Sequence, residues 1–340
     1  MCYNAGMDEK RIFMTTETDI HFNLATEKYL IEEFNPDSTV LFLWKNSPTV
    51  VIGRYQNPWE ECRLSLMEKD GVSLARRCSG GGAVYQDLGN ICFTLITPAE
   101  NANKVKNFDL VLKALEMMGI KAQLSGRNDI LVEGRKVSGS AFQTTHGRFC
   151  HHGTMLITTD LTKLPNYLTP NQHKLESHGV KSVTSRVANI SDFLPSATTE
   201  MFASCMAKAF DEQCSIETIT KEKMKSYPSL RQSFEIFSSK EWNLGKCPTF
   251  TDKLTGKLSD GVISFYLTVK KGVIVDVSVS SDTLYSLDFE ELKRTLIGTS
   301  YEASEICKKA DEREDKIKIA HDFVCDSLRL LASLIIKERT

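Results

Sequence analysis

Apolar positions along the chain change period several times, and each change marks an element. From Asp19 to Phe34, Phe22, Leu24, Ala25, Tyr29, Leu30 and Ile31 fall on one face of a helix, which the turn cluster Asn35-Pro36-Asp37 ends. Two short apolar runs follow, Val40-Leu-Phe-Leu-Trp44 and Thr49-Val-Val-Ile52, split by Asn46-Ser-Pro48. They predict a buried β-hairpin closing at Gly53-Arg54. Pro58 opens a short helix through Leu64, Leu66 and Met67. Strands are expected over 72–75, 91–96, 130–132 and 154–158, and helices over 108–118 and 197–210. Near the end, Ile263 to Val269 and Val273 to Val279 alternate like paired strands around the turn Lys270-Lys271-Gly272, before a helical tail. Strands and helices interleave with several close β–β connections, so the expected class is α+β with a mixed sheet. Turn residues around Glu241 to Pro248 divide the chain into 1–247 and a smaller C-terminal part, 248–340.

Composition narrows the function classes. With 42 basic and 44 acidic residues the formal net charge is −2, which gives no general affinity for nucleic acid. Apolar runs such as Leu328 to Ile336 are too short to span a bilayer, so no membrane partner is expected. The N-terminus carries Asp8, Glu9, Glu17 and Asp19 against Lys10 and Arg11, unlike a secretory or transit signal. Ten cysteines lie scattered without a C-x-x-C pair, which argues against a zinc site or a disulfide framework and for a reducing compartment. A cytoplasmic monomer is the expectation, or a mitochondrial-matrix protein for a eukaryotic chain already stripped of its presequence.

Three segments carry chemistry. Arg76-Arg77-Cys78-Ser79-Gly80-Gly81-Gly82-Ala83-Val84-Tyr85 sets two cationic forks before three glycines. Without Cβ atoms, backbone N–H groups can approach anion oxygens closely. The same run also reads as a flexible turn beside surface arginines; it is neither a P-loop nor a dinucleotide fingerprint. Lys136 sits among small residues in Gly134-Arg135-Lys136-Val137-Ser138-Gly139-Ser140-Ala141, downstream of Asn128 and Asp129. It suits an oxygen developing negative charge, with Asp129 available to Mg²⁺, unless this is a solvated hairpin tip. Phe149-Cys150-His151-His152-Gly153-Thr154 invites a metal reading, but adjacent histidines on a strand face opposite ways. One histidine packing in the core and the other near substrate is the reading preferred; Cys150 as a nucleophile activated by a neighbouring histidine stays open.

Arg76 to Asn90, Gly126 to Asp129, Gly134 to Ala141 and His151 to Thr154 together resemble the lipoate–protein ligase A and lipoyltransferase family. Trp44 to Arg54, Gln56 to Cys62, Leu164 to Leu168, Lys181 to Val187 and Trp242 to Gly245 extend the resemblance over most of the first 250 residues. It implies a catalytic domain like those of biotin protein ligases and class II aminoacyl-tRNA synthetases, with a small α+β accessory domain. It also implies that Arg77 and the backbone of Gly82, Ala83, Val84 and Tyr85 bind nucleotide. By the same match, Arg76, Ser79, Gly80, Gly81, Asn128, Asp129, Ser138, His152, Gly153 and Thr154 contact lipoyl-AMP. Lys136 takes the place of the family's lysine that contacts both carbonyl and phosphate. Gln86 departs from a histidine, and Cys78 from a serine or arginine; neither is expected to do chemistry.

The implied reaction uses ATP, Mg²⁺ and lipoate, passes through lipoyl-AMP, and modifies a lysine of apo lipoyl carrier domains such as E2 subunits and H protein. Trp44, Val50, Ile52 and Val84 are candidates for the apolar slot. Lys163, Lys174, Lys181 and Arg186 could guide an acidic carrier. A transferase using preformed lipoyl-AMP and a thioester amidotransferase working through cysteine remain as rivals.

Overall fold

The computed structural model describes residues 9–126, 128–168, 187–245, 251–259, 261–283, 288–317 and 322–339. In chain order the elements are β1 (Lys10–Thr15), α1 (Ile20–Glu32), β2 (Thr39–Trp44), β3 (Thr49–Ile52), α2 (Pro58–Glu61), α3 (Leu64–Asp70), β4 (Ser73–Arg76) and β5 (Val84–Gln86). Next come β6 (Asn90–Pro98), α4 (Lys104–Met117), β7 (Gln123–Ser125), β8 (Asp129–Val132), β9 (Arg135–Thr145), β10 (Arg148–Leu156), α5 (Leu164–Tyr167), α6 (Thr199–Phe210) and β11 (Ile216–Ile219). The C-terminal half adds α7 (Pro228–Ser238), α8 (Lys240–Asn243), β12 (Asp252–Leu258), β13 (Gly261–Lys270), β14 (Val273–Ser281), α9 (Phe289–Leu296), α10 (Ala303–Ile317) and α11 (Phe323–Arg339).

An eight-stranded sheet ordered β11-β1-β2-β6-β10-β9-β8-β7 forms the spine. It is mixed: β1 runs parallel to β2 and β11, whereas the pairs from β2 to β7 are antiparallel. Strands β2 and β6 are buried on both faces, which explains their continuous apolar runs. Alternation sends Leu41, Leu43, Phe93 and Leu95 toward α4 and α6. It sends Val40, Phe42, Trp44 and Ile96 toward α1 and α7. Each fully buried Leu or Phe contributes about 1.5–3 kcal/mol to holding these layers together. Local signals set the helix starts: Asp19 accepts from the N–H groups of His21 and Phe22, and Thr198 from that of Met201.

The hairpin expected from Val40 to Ile52 does not form. β2 joins the large sheet, whereas β3 is the centre of a separate sheet ordered β4-β3-β5. Both runs are apolar because each is buried, and apolarity alone does not say which partner a strand takes. That small sheet matters, because its ends deliver the arginine–glycine run. The division expected at 247/248 falls in 246–250, outside the described residues, as do Arg127, Lys174, Lys181 and Arg186.

Residues from β12 onward build their own core around Phe265, Ile306, Leu328 and Leu331. The turn between β13 and β14 has Lys271 and Gly272 at φ 51° and 75°, the geometry of a two-residue hairpin, as the sequence suggests. This unit docks beside the glycine run. The Ser281 N–H donates to the Tyr55 carbonyl at 3.1 Å, Tyr266 Oη to Glu60 at 2.6 Å, and Tyr55 packs edge-on against Phe289 at 4.5 Å.

Candidate active site

A cavity of about 200 Å³ opens where the small sheet meets β9 and β10. Its wall includes Arg77, Gly81, Gly82, Ala83 and Val84 from the arginine–glycine run, Asn128 and Lys136 from the β8–β9 region, and His152, Gly153 and Thr154 from β10. Three segments separated in sequence therefore meet in one hollow. Leu24, Trp44, Val51 and Cys92 supply an apolar side.

Lys136 lies on β9 just after the turn Glu133-Gly134, where both residues have positive φ. Its ammonium pairs with Asp129 Oδ1 at 2.7 Å, and both side chains are about one-third exposed (36% and 33%). A Cβ at Gly139 would come within 3.1 Å of the Lys136 Nζ, so glycine there leaves room for the lysine to lie across the strand. The cation is thus held at the cavity wall and is not a solvated hairpin tip.

The two arginines divide. Arg77 turns back on its own loop, donating to the carbonyls of Gly80 at 2.8 Å and Gly82 at 2.9 Å and to Ser79 Oγ at 3.2 Å. Burial pulls its guanidinium down to about 10, an effect that Glu27 opposes, so it stays cationic at neutral pH. Arg76 points elsewhere. It donates to the carbonyls of Arg54, Gln56, Trp242 and Asn243 at 2.7–3.1 Å, tying the Gly53–Gln56 turn to α8. Arg76 was expected to contact substrate; here its bonds go to these carbonyls, and it does not line the cavity.

The other expected residues are divided between the cavity wall and its supports. The Gly81 N–H donates to the Thr283 carbonyl of the C-terminal unit at 2.5 Å, so in this arrangement it is not offered to an anion. Gly80 contributes a carbonyl to Arg77 and does not line the cavity. The Tyr85 side chain faces the other side of β5 and packs against Tyr167 at 5.7 Å, because residues alternate along the strand; the expectation for Tyr85 concerned its backbone, which this packing leaves unchanged. The same alternation buries Val50 and Ile52 in the small sheet's core and turns Val51 to the cavity. Ser138 is fully buried, and its Oγ has no partner among the described residues. Asp129 does not line the wall itself but holds Lys136. Asn128 buttresses β9, donating from Nδ2 to the Ser140 carbonyl at 2.8 Å.

Along β9 and β10 the registered pairs Gly139↔Thr154 and Ala141↔His152 lie two residues apart. The His152 end is therefore some 7 Å along the strands from the Lys136 end. At that far end His152 forms a buried chain. Both Glu27 oxygens lie 2.9 Å from Nδ1 and Ser79 Oγ lies 2.6 Å from Nε2; with the neutral ring's proton on Nδ1, Glu27 accepts from Nδ1 and Nε2 accepts a hydrogen bond from the Ser79 hydroxyl. Thr94 also donates to Glu27 at 2.7 Å, and Trp44 Nε1 donates to Thr94 at 3.1 Å. Ser79 therefore acts behind the wall, fixing the glycine loop to β10. Glu27 was not read as a site residue from sequence. The signal was there: a carboxylate within the apolar face of the first helix, 3% exposed.

His151 faces the opposite side, among Phe93, Phe108 and Phe142. Burial lowers its pKa to about 3, so it stays neutral. Cys150 is fully buried, and desolvation pushes its thiol well above the ordinary value. Desolvation works against a thiolate there, and Cys150 does not line the cavity.

Asp129 is a single carboxylate at the cavity edge. Mg²⁺ commonly takes one or two protein carboxylates and completes its shell with phosphate oxygens and water, so the residues present fit an ion carried in with a nucleotide.

A cation at one end of a slot with apolar walls suits an enzyme that activates a small acid, and known proteins with this sequence and fold are of that class. A family model described as lipoyl protein ligase A/B catalytic domain matches residues 19–211. A second, described as bacterial lipoate protein ligase C-terminus, matches residues 247–329. The lipoate-protein ligase A of Bdellovibrio bacteriovorus is 41% identical over 303 residues, covering 87% of this chain and 89% of that protein. The crystal structure of P. falciparum LipL1 in complex with lipoate superposes with a TM-score of 0.77 at 30% identity, covering 94% of this chain and 98% of that one. A lipoate-protein ligase A bound with ATP gives a TM-score of 0.60 at 28% identity, over 70% of this chain and 99% of that chain. The chain belongs to the lipoate–protein ligase A family. It is a ligase, and its reaction is lipoate attachment.

Two substitutions separate bracing from chemistry. Arg76→Ala is expected to lower unfolding free energy by about 2–4 kcal/mol in urea titrations, because it strands several buried carbonyls; a loss below about 0.5 kcal/mol contradicts the bracing role. Gly153→Ala places a Cβ 2.4 Å from the buried Phe93 ring and is expected to destabilise by about 1–3 kcal/mol. An unchanged melting temperature would show that the ring can move.

Proposed function

We propose that the chain catalyses ATP-dependent attachment of lipoate to a lysine of an apo lipoyl carrier domain, such as an E2 subunit or H protein, through lipoyl-AMP. The observation that carries this reading is the Lys136 ammonium on the wall shared with Gly81 and Gly82. The ATP and lipoate named for structurally similar ligases support it. We assign residues 1–247 to catalysis and 248–340 to an accessory domain.

In the first step a lipoate carboxylate oxygen bonds to the α-phosphorus of ATP, the bond to the β-phosphate bridge breaks, and pyrophosphate leaves. Two anions must meet, so cations decide the barrier. Lys136 serves the carboxylate and the α-phosphate, and Arg77 supports the loop beneath them. Asp129 would be the protein carboxylate for a Mg²⁺ carried in with the nucleotide, and the ion would supply further charge neutralisation. In the second step the carrier's lysine amine attacks the carbonyl carbon, the bond to the AMP oxygen breaks, and the amine proton passes to solvent or phosphate. Lys136 stabilises charge on both the carbonyl and departing phosphate oxygens. The hydrocarbon tail runs from Lys136 toward His152 between Leu24, Trp44, Val51 and Val84, where dry walls protect the mixed anhydride from hydrolysis.

Asp129 orients Lys136 before substrate binds. As the carboxylate and phosphate arrive, the ammonium exchanges one oxygen partner for others without leaving the wall. This also favours the ligase over a cysteine transferase, since burial places Cys150 and Cys92 far above the thiol range useful to a nucleophile.

Lys136→Ala is expected to fold normally by circular dichroism and lose about 10²–10³-fold in lipoate-dependent pyrophosphate release. Wild-type turnover by that variant removes Lys136 from the mechanism. Omitting ATP, Mg²⁺, lipoate or the apo carrier in turn, with the carrier's mass as readout, is expected to abolish modification each time. Modification by preformed lipoyl-AMP, with no pyrophosphate released from ATP, would instead make the chain a transferase.

A further inference from the structure

Among the described residues, Glu27, Cys150 and His152 form one group of potential metal ligands, with ligand atoms all within 4.8 Å of one another and all three residues buried. We propose that this group is a binding site for a borderline-soft divalent cation, Zn²⁺ in particular, and that filling it inhibits the ligase.

The placement follows from the fold. Cys150 and His152 are two residues apart on β10, so their side chains leave the same face of the sheet. That face packs against α1, which brings Glu27 over both. The sequence draws the eye to the adjacent histidines, which point apart; the chelating pair is Cys-x-His, spanning them. Tetrahedral zinc bonded to sulfur, nitrogen and oxygen holds its ligand atoms about 3.3–3.8 Å from each other. Closing from the present separations needs side-chain shifts of about 1 Å, within rotamer freedom. A thiolate and a carboxylate neutralise the dication, which offsets the cost of burial. Coordination displaces the Cys150 proton to solvent, the bound cation offsetting the burial that otherwise keeps the thiol protonated, and a water completes the fourth position. Two approaches exist. His152 lines the acyl cavity, and Glu27 lines a polar groove of about 400 Å³ on the other side of the glycine loop, together with Cys78, Ser79 and Arg54.

Selectivity follows from ligand type. A thiolate–imidazole pair suits zinc and is poor for Mg²⁺, so the magnesium used by the reaction leaves the site unoccupied. Inhibition follows from what zinc displaces. Metal on His152 Nδ1 breaks its bonds to Glu27 and forces the proton onto Nε2, which then donates to Ser79 instead of accepting from it. Ser79 sits on the glycine loop, so the cavity wall changes shape at its far end.

The test uses the full chain, reduced, freed of chelator and reductant, in excess Mg²⁺, with Co²⁺ as the probe. Binding of about one equivalent is expected, with a near-ultraviolet thiolate-to-cobalt band that Zn²⁺ displaces. Cys150→Ser is expected to remove the band and weaken Zn²⁺ binding at least about 10-fold; Cys214→Ser, at a half-exposed thiol elsewhere, retains both. Should the serine variant misfold by circular dichroism, Cys150→Ala is the substitute. Stoichiometric Zn²⁺ is expected to inhibit lipoate attachment in the wild type, reversibly on chelation, and to spare Cys150→Ser. A band that survives in Cys150→Ser, no thiolate band in the wild type at micromolar protein, or equal inhibition of both proteins overturns the proposal.

Discussion

In the proposed mechanism one ammonium on a strand wall organises the chemistry. Lys136 is neither buried nor free: Asp129 holds it at 2.7 Å, and Gly139 clears the space it crosses. A fully buried lysine would tend to shed its proton, and a fully exposed one would be screened by water. At the edge of a hollow whose other walls are Leu24, Trp44 and Val51, the charge lies close to low-dielectric surface. The glycine loop, the apolar slot and the buried chain at the far end all have meaning relative to that point.

Holding the loop in place takes several polar groups. Arg77 gathers the carbonyls of Gly80 and Gly82, Arg76 anchors the neighbouring turn to α8, and Ser79 reaches through His152 to Glu27. A run of three glycines has large conformational entropy when unfolded, so it needs this many contacts to keep one shape. The C-terminal unit adds another through Thr283. Its docking beside the loop links the smaller unit to the site, and among the described residues none of its side chains lines the cavity.

Much of this was legible in the sequence because motifs carry short-range information. Lys136 among small residues, the triple glycine and the His-Gly-Thr run each name residues that the fold brings to one cavity. Where the reading failed, the missing information was long-range. Arg76 and Arg77 are adjacent and chemically identical, and only the carbonyls supplied by Trp242 and Asn243 decide that Arg76 braces. Strand phase decided that Val51 and not Val50 or Ile52 faces the slot, and sheet partnership decided that β2 and β3 do not pair. Glu27 lies 125 residues from His152, too far for any local pattern to couple them.

The most direct test of the account is a crystal structure of the protein with a non-hydrolysable acyl sulfamate analogue of lipoyl-AMP. The account predicts Lys136 Nζ within about 3 Å of both the carbonyl oxygen and the phosphate-mimicking oxygen, with the hydrocarbon tail directed toward His152. An ammonium turned to solvent, touching neither oxygen while the analogue occupies the cavity, would contradict it.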